Sequence, residues 1–351
     1  MNNIIVTGGA GFIGSNLVKE LLRNPVNKVL IIDKLTYAGN LLSLKDVEKE
    51  KNYSFYETDI CDIVEIRKII FGFRPDKIMN LAAESHVDRS IDDPYQFIQT
   101  NIVGTYSLLK VGIEYFRSLN SEQKRSFRFL HVSTDEVFGS LNNEGFFTES
   151  SPYIPNSPYS ASKASSDHLV RAWYHTYNFP VLVTNCSNNY GPYQFPEKFV
   201  PVIIMKALHE ELIPIYGKGE NIRDWLYVED HVIGLIKVLF EGKIGETYVI
   251  GGNNERTNLE LVEKICSILD KVKPRKNGHK YSQLVSFVED RPGHDRRYAI
   301  DASKLKTELG FSPLYSFEMG IEKTINWYIN NQNWCTSVLE NKYKLERLGK
   351  I

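Results

Sequence analysis

Tyr159 and Lys163 stand four residues apart in Pro158-Tyr159-Ser160-Ala161-Ser162-Lys163, so on a helix beginning near Pro158 they share one face. An ammonium beside a phenol favours phenolate and lowers its pKa, which suits a tyrosine that takes a proton from a sugar hydroxyl. Tyr106 and Lys110 have the same spacing. Their company separates the two pairs: the first follows a strand that ends in Ser133-Thr134-Asp135-Glu136-Val137, and the second lies mid-helix without a hydroxyl cluster. Asp135 and Glu136 are adjacent carboxyl groups at a strand end, two proton-transfer groups of separable pKa. Elimination of water needs such a pair, one acid and one base.

A second group is Thr7-Gly8-Gly9-Ala10-Gly11-Phe12-Ile13-Gly14, which follows the first strand and opens the first helix. It fits both G-x-x-G-x-x-G (Gly8, Gly11, Gly14) and G-x-G-x-x-G (Gly9, Gly11, Gly14). Glycines there allow backbone N–H groups to approach a pyrophosphate at the positive end of the helix dipole. Asp33 ends the second strand about 20 residues on, as a carboxylate receiving a ribose hydroxyl requires. It argues for NAD over NADP, because a 2′-phosphate would face a like charge, with Lys34 adjacent.

The elements that must position these residues are legible in the periodicity. Short Ile- and Val-rich runs at 4–7, 29–33, 77–81, 127–133 and 181–185 read as strands, and 12–23, 63–71, 94–116 and 158–177 read as helices. Strands apolar on both faces and alternating with helices imply a doubly wound α/β fold, a Rossmann-type parallel sheet covered on both sides. After about Ser187 the pattern loosens, and 227–240 and 247–251 resemble one more helix and strand returning to that sheet. The expected division is 1–187 as an NAD-binding domain, with about 222–251 returning to it, and 188–351 as a smaller C-terminal substrate-binding lobe.

Together these blocks resemble the extended short-chain dehydrogenase/reductase family acting on nucleotide sugars, and most closely its dTDP-glucose 4,6-dehydratase branch. Leu35–Asn40, the run 80–91, Ser133–Val137, Tyr159–Ala164, Asn188-Asn189-Tyr190-Gly191-Pro192, Arg223-Asp224-Trp225 and the run 290–297 carry the likeness. It covers nearly the whole chain, leaving the last ~25 residues without an anchor. The resemblance implies an NAD site formed by Gly8, Gly11, Phe12, Ile13, Gly14, Asp33, Lys34, Thr36, Asn40, Asp59, Ile60, Leu81, Ala82, Ala83, Thr100, Tyr159 and Lys163. It implies that Glu136 removes the sugar C5 proton, that Asp135 protonates the departing C6 hydroxyl, and that Thr134 hydrogen-bonds the C4 oxygen. Substrate roles follow for Ser85, Thr134, Asn188, Lys198, Arg223, Asn258, Arg291 and His294. Arg223, Arg291 and Arg297 are planar donors suited to a diphosphate. The expected reaction is dehydration of dTDP-glucose to the 4-keto-6-deoxy sugar for rhamnose-type deoxysugar synthesis. The alternatives are a UDP-glucose 4,6-dehydratase or another nucleotide-sugar epimerase or decarboxylase.

Other chemistries fare poorly. His209-Glu210-Glu211 opens like a zinc-protease helix but lacks the second His, no G-x-S-x-G elbow occurs, and the eight histidines show no ligand spacing, so no metal is expected. With 42 basic against 43 acidic side chains the chain has no general field for nucleic acid or an anionic membrane. The basic segment 271–280, beside Pro274 and Gly278, reads as a solvated loop. Four well-separated cysteines suggest a reducing, cytoplasmic setting. Met1-Asn2-Asn3 runs into the first strand without a basic n-region, and no apolar stretch approaches a bilayer's span, so neither export nor membrane insertion is expected. Helices 94–116 and 158–177 are those that pair in the family's dimers, so a homodimer is expected.

Overall fold

The computed structural model describes residues 2–290 and 294–339. Arg291 lies outside the described residues. In chain order the strands are β1 Asn2–Thr7, β2 Asn27–Asp33, β3 Tyr53–Glu57, β4 Lys77–Asn80, β5 Arg128–Thr134, β6 Val181–Cys186, β7 Asn188–Tyr190, β8 Ile213–Tyr216, β9 Ile222–Tyr227, β10 Thr247–Ile250, β11 Glu255–Thr257 and β12 Val285–Val288. Seven of them form one sheet, ordered β10-β6-β5-β4-β1-β2-β3, in which every pairing is parallel. β4 and β6 are buried throughout, as apolar runs covered on both faces must be. Helices Phe12–Leu22 and Val228–Glu241 supply one apolar layer with Leu17, Val18, Leu235 and Leu239. Ile66, Ile70, Leu108 and Val170, from helices Ile63–Phe73, Thr105–Ser118 and Pro158–Tyr177, supply the other. The helix and strand expected to return to this sheet do so, as Val228–Glu241 and β10.

The chain order reverses at β1, whose neighbours are β2 on one side and β4 on the other. In open α/β sheets the crevice beyond the strand carboxyl ends at such a reversal is where ligands bind. The glycine run, Asp33, Leu81 and Thr134 all lie at these ends.

Two expectations are corrected here. The segment 94–116 is not one α-helix: Pro94–Phe97 passes into a π-helical Ile98–Gly104 and then into Thr105–Ser118. In the widened turns Asn101 donates to Ser162 Oγ at 2.8 Å and to the Glu84 carbonyl at 3.0 Å, which ties this helix to the catalytic one. β3 also escaped the reading, because Tyr53-Ser54-Phe55-Tyr56-Glu57 is a half-exposed edge strand without an apolar run.

Helix Pro158–Tyr177 starts where expected. Ser157 and Ser160 close a reciprocal capping box, Pro158 occupies the first turn, and Asn178 ends the helix in the left-handed region at φ 53°. Past Ser187 the chain builds a small sheet, β11-β9-β7, a two-stranded pair, β12-β8, and a separate core around Ile203, Trp225, Ile265 and Tyr328. Helix Gln332–Leu339, in the stretch without an anchor in the sequence, buries Trp334 there and donates its indole N–H to Ser43 Oγ at 3.0 Å. Among the described residues no helix is long and apolar enough to cross a membrane, no His/Cys/Asp/Glu cluster could hold a metal ion, and all four cysteines are free.

Candidate active site

One cleft runs along the carboxyl ends of the strands and brings most of the expected residues together. Its lining includes Gly8, Gly11, Phe12, Ile13, Gly14, Asp33, Lys34, Thr36, Ile60, Leu81, Ala82, Ala83 and Thr100 at one end. Thr134, Asp135, Glu136, Tyr159 and Lys163 stand in the middle, and Ser85, Asn188 and Lys198 line the side toward the second lobe. Asn40 and Asp59 flank it. Asn40 caps a short turn by accepting from Leu42 N, and Asp59 faces Lys34 Nζ at 3.4 Å.

The glycine loop has the shape of a cradle. Gly8 has φ +69°, and a Cβ on it would lie 2.7 Å from the Ala82 nitrogen; one on Gly14 would lie 2.1 Å from the Gly8 carbonyl oxygen. Helix Phe12–Leu22 begins with no side-chain cap, so its first N–H groups face the cleft end without an internal partner. The Asp33 carboxylate accepts Ala10 N–H and Leu35 N–H, both at 2.9 Å, and so fastens the loop to β2. Burial pushes its pKa up, against these two bonds. Each oxygen keeps a lone pair for a ribose hydroxyl. Lys34 Nζ donates to Thr100 Oγ at 3.0 Å. The cradle, the uncapped helix start and the acid at the strand end fit a dinucleotide.

At the catalytic end β5 passes into a tight turn, Asp135–Phe138, capped by Thr134 Oγ, which accepts the Glu136 N–H at 3.2 Å. Asp135 is 1% exposed. One of its oxygens accepts the Thr134 hydroxyl at 3.3 Å, and the other is a buried atom with no partner among the described residues. Burial, and then Glu136 beside it, hold this carboxyl well above the usual range. A carboxyl whose titration is raised, next to a second carboxyl, is what an acid and base for elimination require.

Tyr159 and Lys163 line the cleft on successive turns of their helix. Lys163 Nζ donates to the Val132 carbonyl at 2.8 Å, and burial lowers its pKa. Tyr159 differs from the expectation. Burial first and Glu136 second push the phenol well above its ordinary value, and the opposing pull comes from the Thr134 hydroxyl.

The expected diphosphate and nucleotide residues that are described lie outside this lining, around the segment 294–297. Arg223 does not line the cleft; its guanidinium donates to the Asp295 carbonyl at 2.9 Å and stacks over Tyr298. Arg297 forms a fork with Glu255 at 2.6 and 2.8 Å. His294 pairs with Asp290 at 2.6 Å, and Asn258 is the buried first residue of helix Asn258–Val272. The reading of the sequence missed Ser133, Asn189, Gln194 and Glu197, all in the cleft wall. Ser133 Oγ, Asn188 Oδ1, Asn189 Oδ1 and Gln194 Oε1 are buried without a partner among the described residues, a set of polar atoms left for a polar ligand. Ser133 and Asn189 belong to the blocks Ser133–Val137 and Asn188-Asn189-Tyr190-Gly191-Pro192, and Glu197 immediately precedes Lys198.

The family described as GDP-mannose 4,6 dehydratase matches residues 5–324. A dTDP-glucose 4,6-dehydratase of Neisseria meningitidis serogroup B is 54% identical over 352 residues, covering 99% of each chain. The crystal structure of dTDP-glucose 4,6-dehydratase from Bacillus anthracis in complex with NAD superposes with a TM-score of 0.85 at 44% identity, covering 96% of this chain and 100% of that one. DesIV, a dTDP-glucose 4,6-dehydratase from Streptomyces venezuelae with NAD and TYD bound, gives a TM-score of 0.87 at 42% identity, covering 96% and 99%.

Proposed function

This chain belongs to the GDP-mannose 4,6 dehydratase family, among its dTDP-glucose 4,6-dehydratases, and from that premise we propose that it is an NAD-dependent lyase converting dTDP-glucose to dTDP-4-keto-6-deoxyglucose. One observation carries the chemistry: a buried Asp135, its carboxyl held well above the usual range by burial and by Glu136 beside it, in the same cleft as the dinucleotide cradle and the Tyr159/Lys163 pair.

Gly8, Gly11, Gly14 and Asp33 would hold NAD, which would supply a hydride acceptor for sugar C4 and a hydride donor for C6, unchanged over the whole cycle. The chain's own residues move the protons. Tyr159 takes the C4 hydroxyl proton while Thr134 holds that oxygen. The C4 ketone acidifies C5–H, which Glu136 removes, Asp135 gives its proton to the C6 hydroxyl so that it leaves as water, and a proton, exchanged with solvent on Glu136, returns to C5 as hydride reaches C6. The Ser133, Asn188, Asn189 and Gln194 polar atoms, together with Lys198, receive the nucleotide sugar. Arg223, Asn258, Arg291 and His294 serve its nucleotide end.

Two further parts of the proposal concern assembly and setting. Tyr106 meets Trp173 edge-on, and Trp173 meets Tyr177, so helices Thr105–Ser118 and Pro158–Tyr177 present one aromatic face. Tyr95, Ile98, Tyr106 and Tyr177 are exposed there, as the seam of a homodimer would be. Four free cysteines suit a cytoplasmic enzyme.

Incubation with dTDP-glucose and, separately, UDP-glucose, with products identified by mass spectrometry, tests the proposal. A product lighter by one water from the dTDP sugar is expected. Equal or better conversion of UDP-glucose would reassign the nucleotide, and an isomerised sugar of unchanged mass would overturn dehydration.

A further inference from the structure

Beneath the floor of the cleft lies a buried polar chain that the mechanism above does not use. Tyr159, Lys163, Asp167 and Arg171 recur at four-residue spacing and form one stripe of helix Pro158–Tyr177. Asp167 has no exposed surface, and no single ion pair explains it. Its Oδ2 accepts the Tyr153 hydroxyl at 2.8 Å and Asn185 Nδ2 at 3.1 Å, and its Oδ1 lies 3.3 Å from His131 Nε2. Asn185 Nδ2 also donates to the Thr134 carbonyl, at 3.0 Å.

Donor and acceptor roles along this chain can be assigned from one end. The Ala82 N–H donates to Thr7 Oγ at 3.1 Å, which leaves the Thr7 hydroxyl proton for Asn80 Oδ1 at 2.7 Å. Asn80 therefore turns its NH2 toward His131 Nδ1, at 3.0 Å, and His131 carries its proton on Nε2, which faces Ser166 Oγ at 3.2 Å and Asp167 Oδ1 at 3.3 Å. A neutral His131 leaves the Asp167 charge unmatched by the ring. The groups facing it are His131 from β5, Tyr153 from the preceding loop, Asn185 from β6 and Lys163 from its own helix, with Arg171 one step away on the Tyr153 hydroxyl at 2.7 Å. Lys163 in turn is faced by Asp167 and by the buried thiol of Cys186 on β6.

On the reading proposed above, we propose that Asp167 is a positioning residue for the C4 oxidation: it is the buried counter-ion that keeps Lys163 an ammonium, and through Asn185 it fixes the Thr134 backbone. The directions of titration agree. Burial works to raise the Asp167 carboxyl, yet the His131 ring, then Lys163 and the Tyr153 hydroxyl, hold it below its usual value. Burial depresses Lys163, and Asp167 is the first influence opposing this. Burial, and then the Lys163 charge, bring His131 down to about 4.

The test is Asp167→Asn, the same shape without the charge. C4 oxidation is followed in single turnover by reduced-nicotinamide absorbance, across pH, with the melting temperature as a check on folding. Loss of the counter-ion moves the alkaline limb, where Lys163 gives up its proton, down by about one unit or more. A purely structural role lowers the rate equally at every pH, so an unmoved limb in a folded variant overturns the inference and leaves the dehydratase reading intact. Absence of product with the unsubstituted enzyme overturns both. Should Asp167→Asn fail to fold, histidine nitrogen NMR of the unsubstituted protein decides: His131 stays neutral, protonated on Nε2, from pH 5.5 to 8. An imidazolium there would take the Asp167 charge for itself and refute the assignment.

Discussion

The chain carries the same Tyr-x-x-x-Lys spacing twice, on two helices that pack on the same face of the sheet, and only one copy lies in the cleft. Tyr159 is 8% exposed, beside Thr134 and Glu136, and Lys163 is buried against the Val132 carbonyl. Tyr106 is 41% exposed with its ring against Trp173, and Lys110 makes a 3.8 Å surface pair with Glu114. The difference is one of placement. Helix Pro158–Tyr177 starts at the carboxyl end of the sheet, where β5 delivers Thr134, Asp135 and Glu136. In the other helical run, the π-helical turns place Thr100 in the cleft wall and tie Asn101 to Glu84 and Ser162, and the pair at 106 and 110 comes after them, facing outward.

Removing the phenol oxygen tests this contrast most strongly. Tyr159→Phe should lower C4 oxidation by about 10⁴-fold, the upper end for a group that moves a proton, measured as reduced-nicotinamide absorbance in single turnover. Asp135→Asn keeps the shape but cannot supply a proton. It should still oxidise C4, while release of the 4-keto-6-deoxy product slows by about 10²–10³-fold. In the unsubstituted enzyme Asp135 works as the neutral acid, and its pKa is raised. Elimination should therefore persist above the ordinary carboxylate range and fall as pH climbs through that raised value; a step that strengthens with rising pH over that interval would contradict the assignment.

Gly14→Ala places a methyl against the Gly8 carbonyl, so the loop must shift. A destabilisation of about 1–3 kcal/mol, read from denaturant unfolding, is expected together with loss of copurifying NAD. Tyr106→Phe is the smallest effect, with turnover within about twofold of the parent, because its hydroxyl is on the surface. A loss there equal to that of Tyr159→Phe would erase the distinction between the two helices.

The parallel sheet and the cofactor loop were legible because their signals are local: apolar runs of the right length, glycines between a strand and a helix, and an acid at the next strand end. What escaped the sequence depends on neighbours distant in the chain. β3 is an edge strand with half-exposed side chains, so it carries no apolar run. The π-helical turn at 98–104 differs from an α-helix only in hydrogen-bond register, which side-chain periodicity does not report. The partners of Arg223 and Arg297, the Asp295 carbonyl and Glu255, come from segments distant in the chain. His131, Asp167 and Asn185 are single polar residues in otherwise apolar stretches, and only the fold, bringing β5, β6 and the catalytic helix together, makes them one network.

The account's central claim is that the hydrogen leaving C4 comes back at C6 while Asp135 and Glu136 remove water between them. Turnover of dTDP-glucose deuterated at C4, with product positions read by NMR, tests this most directly. Deuterium at C6 of a 4-keto-6-deoxy product is expected, and the unlabelled sugar in D₂O should acquire solvent deuterium at C5. Deuterium retained at C4 with inverted configuration would show an epimerase and contradict the role given to the carboxyl pair.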